Sequence, residues 1–232
     1  MAAKVDYQLQ DAEALLKTVY NNREAMNAKG FSDASHTALV DAKENLLLKE
    51  AAQQKAVQLV ADKTAEQNQC IENVSSLIKR IRSAAKSAYG NDEKSLKLFK
   101  VGEKIPSSVK KLRPMCEYIE GLVLEHHDIL LQNGLVQADI DELHSSYGNL
   151  VAVDATQENA KKLQVAATLT RDDAAKKLKD KVFRVRNFAN ACFAKDKEIL
   201  VQFQPVAKSA GGRNGGDDDA NASQPPDAPK TN

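Results

Sequence analysis

The chain repeats itself at an offset of 104 residues. Gly30 recurs as Gly134, Glu13 as Glu117, Leu39 as Leu143, Leu59 as Leu163 and Arg82 as Arg186. Ala85 recurs as Ala189, Tyr89 as Phe193, Asp92 as Asp196, Leu96 as Leu200 and Phe99 as Phe203. The register holds without a gap from about residue 9 to residue 204. Such a duplication predicts two like structural units packed about a pseudo-twofold axis, and it gives each candidate site an internal control.

Glycine and proline then set the kind of unit. Neither occurs between Gly30 and Gly90, nor between Gly148 and Pro205. Uninterrupted runs of this length, rich in Ala, Leu, Lys, Glu, Asp and Gln, predict helices of about 80 Å. Val74, Ile78, Ile81, Ala85 and Ala88 step by four, three, four and three residues; Leu178, Val182, Val185, Ala189 and Cys192 repeat that stepping. This is an a/d seam, by which two helices interlock at a shallow angle. A shorter helix precedes each long one. Residues 5–29 carry Leu15, Val19 and Met26 on one face; residues 112–133 carry Met115, Ile119, Leu122 and Ile129, with Pro114 in the first turn. Gly30 and Gly134 stand where a helix end favours a left-handed residue, sealed by Phe31 and Leu135, and Ser32 and Ser35 suit the cap of the next helix.

The expected fold is therefore all-α: an elongated antiparallel helical bundle built from two duplicated helical hairpins. Residues 1–104 form the first hairpin plus linker. Residues 105–207 form the second, sharing one core with the first. The linker near 91–111 offers Leu96, Phe99 and Val101 to fold back onto the overhanging long helices. Thr64 and Thr168 mark an alternative break in the long arms. In an up-down-up-down bundle both hairpin turns lie at one pole. From 208 to 232 the composition turns to Gly, Asp and Pro, which predicts a disordered tail.

Composition excludes more than it assigns. The charge balance of 33 Lys+Arg against 32 Asp+Glu points to no particular partner, and no run approaches the roughly 18 apolar residues of a membrane span. A start of Met1-Ala-Ala-Lys without a following apolar stretch argues against a secretory signal, so a cytoplasmic protein is expected. Cys70, Cys116 and Cys192 correspond to Ala174, Ala12 and Ala88, so each thiol reads as a small apolar residue rather than a nucleophile.

Charge is unevenly placed. Residues 114–160 hold nine acids and no Lys or Arg, and Glu117, Glu120, Glu125, Asp128, Asp139, Asp141 and Glu142 define an expected acidic pole. Lys79, Arg80, Arg82, Lys110, Lys111, Arg113, Lys176, Lys177, Lys179, Lys181, Arg184 and Arg186 define an expected basic pole at the other end. Rods charged in this way associate pole to pole. Nucleic acid is the second expectation, through phosphate contacts at the basic pole. It is weakened by the absence of a recognition motif or of aromatic residues interleaved with the basic ones. A carboxylate–histidine metal bundle is third. Glu125-His126-His127-Asp128 point in different directions on a helix, Asp141 and His144 lack a second copy, and the counterparts of His126, His127 and His144 are Asn22, Arg23 and Val40. No nucleotide-binding or nucleophile motif is present. The expectation is a non-enzymatic structural or interaction protein, a self-associating scaffold without cofactor or metal, whose partner is protein and not membrane.

Overall fold

A computed structural model describes residues 2–206, all of whose regular elements are helices. In chain order they are α1 (Ala2–Asn21), α2 (Arg23–Asn27), α3 (Asp33–Tyr89), α4 (Glu93–Leu98), α5 (Val109–Glu125), α6 (His127–Gln132), α7 (Gln137–Cys192) and α8 (Lys197–Gln202). The expected tail from 208 lies outside the described residues.

Local chemistry places the ends. Gly30 and Gly134 adopt φ of 94° and 98°, which a side chain would disfavour. Beside them the amides of Phe31 and Leu135 donate back to the carbonyls of Met26 and Leu130 at 3.0 and 3.1 Å. These are Schellman-type stops, and buried Phe31 and Leu135 seal them. Ser32 caps α3 by accepting from the Ser35 amide at 3.2 Å. Val136 has no acceptor to do the same for α7; instead the Asp139 carboxylate accepts the Val136 amide at 3.4 Å.

One expectation changes here, and one alternative is removed. Each short arm, read from sequence as continuous, is broken. Asn22 (φ −109°, ψ 17°) separates α1 from α2, and His126 (φ −111°, ψ 22°) separates α5 from α6. The long arms, for which a break near Thr64 and Thr168 was an alternative, are unbroken at 57 and 56 residues. The Thr64 and Thr168 hydroxyls donate to the carbonyls of Val60 and Gln164 within the same helix, at 2.7 and 2.9 Å, and so start no new one.

α3 and α7 run antiparallel. Gln67 Nε2 donates to Asp154 Oδ1 at 2.8 Å, Gln157 Nε2 to Thr64 Oγ1 at 3.3 Å, and Arg80 meets Asp139 at 2.5 Å. This pairing corrects the placement of the turns. Both were expected at one pole, yet they stand at opposite ends. Lys29, beside the first turn, donates to the Cys192 carbonyl at 2.8 Å, while Asn133, beside the second, accepts from Ser87 at 3.2 Å. The C-terminal part of each long helix packs against the short arm that precedes the other one, residues 74–85 with α5 and 178–189 with α1, and this sets the two turns apart.

Two apolar clusters result. One gathers Val74, Ile78, Ile81 and Phe99 with Leu112, Ile119, Leu130, Leu143 and Leu150. The other gathers Leu15, Val19, Met26, Leu39 and Leu46 with Leu178, Val182, Val185 and Phe203. Each fully buried Leu or Ile contributes about 1.5–3 kcal/mol of transfer free energy. Linker residue Phe99 is fully buried among Val74, Ile78, Ile81 and Ala85, with Val101 packed beside it, so the linker folds back onto the C-terminal part of α3 as expected. Between the clusters α3 and α7 form a two-helix stalk with a polar seam. Glu50 and Arg171, 6% and 4% exposed, face each other across it at 3.8 Å.

Candidate functional site

The residues picked out by charge do not form two opposed poles. Arg80 on α3 pairs with Asp139 at 2.5 Å and with Glu142 at 3.1 Å on α7, so members of the expected basic and acidic sets neutralise each other within one end. Lys79, Lys110, Lys111 and Arg113 are exposed at that same end. Lys176, Lys177, Lys179 and Arg184 are exposed at the other, and Lys181 is half-buried there. The antiparallel run of α3 and α7 is the cause, since it sets the C-terminal part of α3 beside the N-terminal part of α7.

Two of the arginines are structural. Arg82 is buried; its Nε donates to the Phe99 carbonyl at 3.2 Å and its Nη1 to the Glu103 carbonyl at 2.8 Å, while Nη2 has no hydrogen-bond partner. Burial pulls its pKa down, opposed by the nearby charge of Glu103. Arg186 repeats the first contact, Nε to the Phe203 carbonyl at 2.8 Å, and adds a two-pronged pair to Asp11 at 2.9 and 2.8 Å. Burial alone would raise the Asp11 pKa. The Arg186 hydrogen bonds, the Val206 amide at 3.0 Å and the Arg186 charge outweigh it and hold that carboxyl below its ordinary value. Repetition at 104 flagged both arginines in the sequence. Asp11 had no such flag, because position 115 is a methionine.

The acidic residues are engaged unequally. Asp139 is buried against Arg80. Glu117 accepts from the Tyr147 hydroxyl, Glu120 meets His144 Nδ1 at 2.5 Å, and Asp141 accepts from Gln137 at 2.9 Å. Glu125 and Asp128 are exposed. His127 lies 3.0 Å from both Asp128 and Gln137, and those hydrogen bonds raise its pKa, that to Asp128 first. His126 is half-buried in the helix break, against Tyr89 and Phe99 and 3.0 Å from the Tyr89 hydroxyl. Among the described residues no three His, Cys, Asp or Glu side chains converge as a metal site would require. Burial, with Glu120 and Glu117 nearby, pushes the Cys116 thiol up to about 11, which makes it a poor nucleophile at neutral pH.

Concavity is shallow. One cleft of about 450 Å³ lies at the start of α5 between Lys110, Arg113, Glu117 and Asp154, and another follows residues 124–129. The more prominent features are convex. Phe183 is 64% exposed beside Arg184, at the end of the basic stretch Lys176–Arg184, an aromatic among basic residues. Leu163, Val165 and Leu169 are exposed on the stalk. Among the described residues no helix is long and apolar enough to cross a membrane. Set against protein-family models, curated proteins and solved structures, the chain matches none.

Proposed function

We propose that the protein is a non-enzymatic structural and interaction protein. In this reading two descendants of one helical hairpin, residues 1–104 and 105–207, clasp lengthwise into a rod that presents long helical faces to protein partners, including copies of itself. One observation carries it. Two unbroken helices of 57 and 56 residues hold two separate apolar clusters apart on a stalk, and the surface is convex and charged rather than shaped into a deep pocket. The charge-driven contact expected from sequence is retained in narrower form. The exposed acids Glu125, Asp128 and Asp141 stand at one end, and Lys176, Lys177, Lys179 and Arg184 at the other. Association between copies brings these two sets together. Sedimentation velocity between about 50 and 500 mM salt tests this, because screening tightens over that range. Mass that rises with protein concentration and falls with salt is the expected result; mass indifferent to salt contradicts the charge-driven contact.

A second reading has a specific observation behind it. Exposed Phe183 among Lys176, Lys177, Lys179 and Arg184 pairs a stacking ring with phosphate-binding cations, which suits a single-stranded polyanion. A mobility shift with single-stranded DNA or RNA that Phe183→Ala and Lys179→Glu both weaken supports it; no shift at low salt removes it.

A further inference from the structure

The last described residues are laid along α1. The Gln202 carbonyl accepts from the Thr18 hydroxyl and its Oε1 from Asn22, at 3.2 Å each. Further on, the Val206 amide donates to Asp11 at 3.0 Å, and the Val206 carbonyl accepts from the Tyr7 hydroxyl at 2.9 Å. Contacts at 22, 18, 11 and 7 carry the chain backward along α1, toward its start. α1 is antiparallel to α3, and α3 to α7, so α1 and α7 run the same way, with Asp11 level with Arg186. Residues seven apart lie within about 20° of one another around a helix. One heptad before that pair therefore stand Lys4 and Lys179, two exposed cations in the rows where Asp11 and Arg186 meet.

Local acids leave this place positive. Residues 174–184 hold Lys176, Lys177, Lys179, Lys181 and Arg184 against one acid, Asp180. Of the two acids just before them, Asp172 is engaged by Arg171 at 2.7 Å and Asp173 lies about 120° around α7 from Lys179. Asp6 of α1 lies about 200° around its helix from Lys4. The other half of the molecule has no such cluster. At the offset of 104 the counterparts of Lys4, Lys176 and Lys179 are Ser108, Glu72 and Ser75.

We infer that the acidic triplet Asp217–Asp219 of the chain's own C-terminal segment docks on Lys4, Lys176 and Lys179, and so masks the basic set that the proposed function gives to the contact between copies. The docking is carried by this end of the molecule alone; the masking rests on the self-association reading and names its regulation. Charge fits. Residues 214–229 hold four acids, Asp217, Asp218, Asp219 and Asp227, and no Lys or Arg. Length fits as well. Residues 207–216 include four glycines, and a chain of that makeup has a root-mean-square reach of about 17–20 Å from Val206 to Asp217. Lys179 lies about 10 Å along α7 from Arg186, and Lys176 about 15 Å. A tether whose reach matches its span holds the anion beside the cations at an effective concentration of about a millimolar. Acids of a second copy meet the same lysines only at the concentration of that copy, so the contact within one chain forms first.

Lysine acetylation of the full chain, read peptide by peptide by mass spectrometry, tests the docking. The protein and an Asp217→Asn, Asp218→Asn, Asp219→Asn variant are treated with N-hydroxysuccinimidyl acetate at low modification. At about 50 mM salt Lys4, Lys176 and Lys179 should react at least about twofold faster in the variant, and the difference should vanish at about 500 mM. Lys79, Lys110 and Lys111, exposed at the opposite end, should react alike in both. Dilution from about 100 to about 1 μM should leave the difference unchanged, since the tether sets the contact. Equal rates, or slowing spread evenly over all lysines, overturn the docking. Protection lost on dilution overturns it too and assigns the acids to a second copy. Sedimentation velocity at about 50 mM salt then reads the masking, and the variant should associate at least about twofold more tightly. A positive footprint with association unchanged overturns the masking alone. Absence of association in both proteins contradicts the self-association reading, and the footprint still decides the docking.

Discussion

Arg186 grips Asp11 with both terminal guanidinium nitrogens, tying the last turns of α7 to the middle of α1 across 175 residues of chain. Its sequence counterpart Arg82 binds two backbone carbonyls and no carboxylate. Similar arginines thus carry different burdens. Removing Asp11 (Asp11→Ala) should cost about 2–4 kcal/mol, less than the full penalty for a deeply buried pair because Arg186 keeps some solvent. Chemical denaturation measures it.

The same pair fixes an acid sensitivity. The Asp11 carboxyl sits below its ordinary value of 3.8 in the folded protein. Its contribution is therefore fully present above that value and is lost as pH falls through the depressed one. Melting temperatures of the protein and of Asp11→Asn should differ most near neutral pH and converge as pH falls through the depressed value. A gap that widens toward acid would contradict the assignment.

Arg82 and Arg186 should respond differently to the same change. Arg186→Met strands a carboxylate that is largely buried, whereas Arg82→Met removes a guanidinium with an unpartnered nitrogen and strands only carbonyls. We expect Arg186→Met to be the more destabilising by about 1–3 kcal/mol. Equal losses would mean that Asp11 adds nothing to the first pair.

The two apolar clusters should behave as separate stability units. Ile119→Ala and Leu46→Ala each remove a fully buried side chain, one from each cluster, and each should cost about 2–5 kcal/mol. Their effects should add within about 0.5 kcal/mol. Hydrogen exchange should show Ile119→Ala loosening residues 74–85 and 109–150 while residues 178–189 stay protected.

Much of this architecture was legible because it is written in local chemistry. Gly30 with Phe31 and Gly134 with Leu135 announce helix stops. The missing Gly and Pro announce long arms, and the spacing of Val74, Ile78, Ile81 and Ala85 announces a buried face. What could not be read was which surfaces meet. The stepping at 74–85 and at 178–189 is the same, yet each stretch packs with a different short arm in a different cluster. Asn22 and His126 break their helices without a glycine or proline to mark the place. The mixing of basic and acidic residues at one end has the same cause. Arg80 and Asp139 are distant in the chain, and only the antiparallel run of α3 and α7 brings them together. Phe183 lies off the stepping of Leu178, Val182 and Val185, and how exposed it and Leu163 are emerges only once the seam is fixed in space.

The arrangement of the two turns is the claim on which the faces and the stalk both depend. Dyes at Asn27→Cys and Gln132→Cys, both exposed positions beside the turns, allow it to be measured by single-molecule energy transfer in a Cys70→Ala, Cys192→Ala background. Opposite ends of a stalk built on a helix of about 57 residues predict a separation of about 80 Å and almost no transfer. Efficient transfer, corresponding to about 20 Å and both turns at one end, would contradict the account.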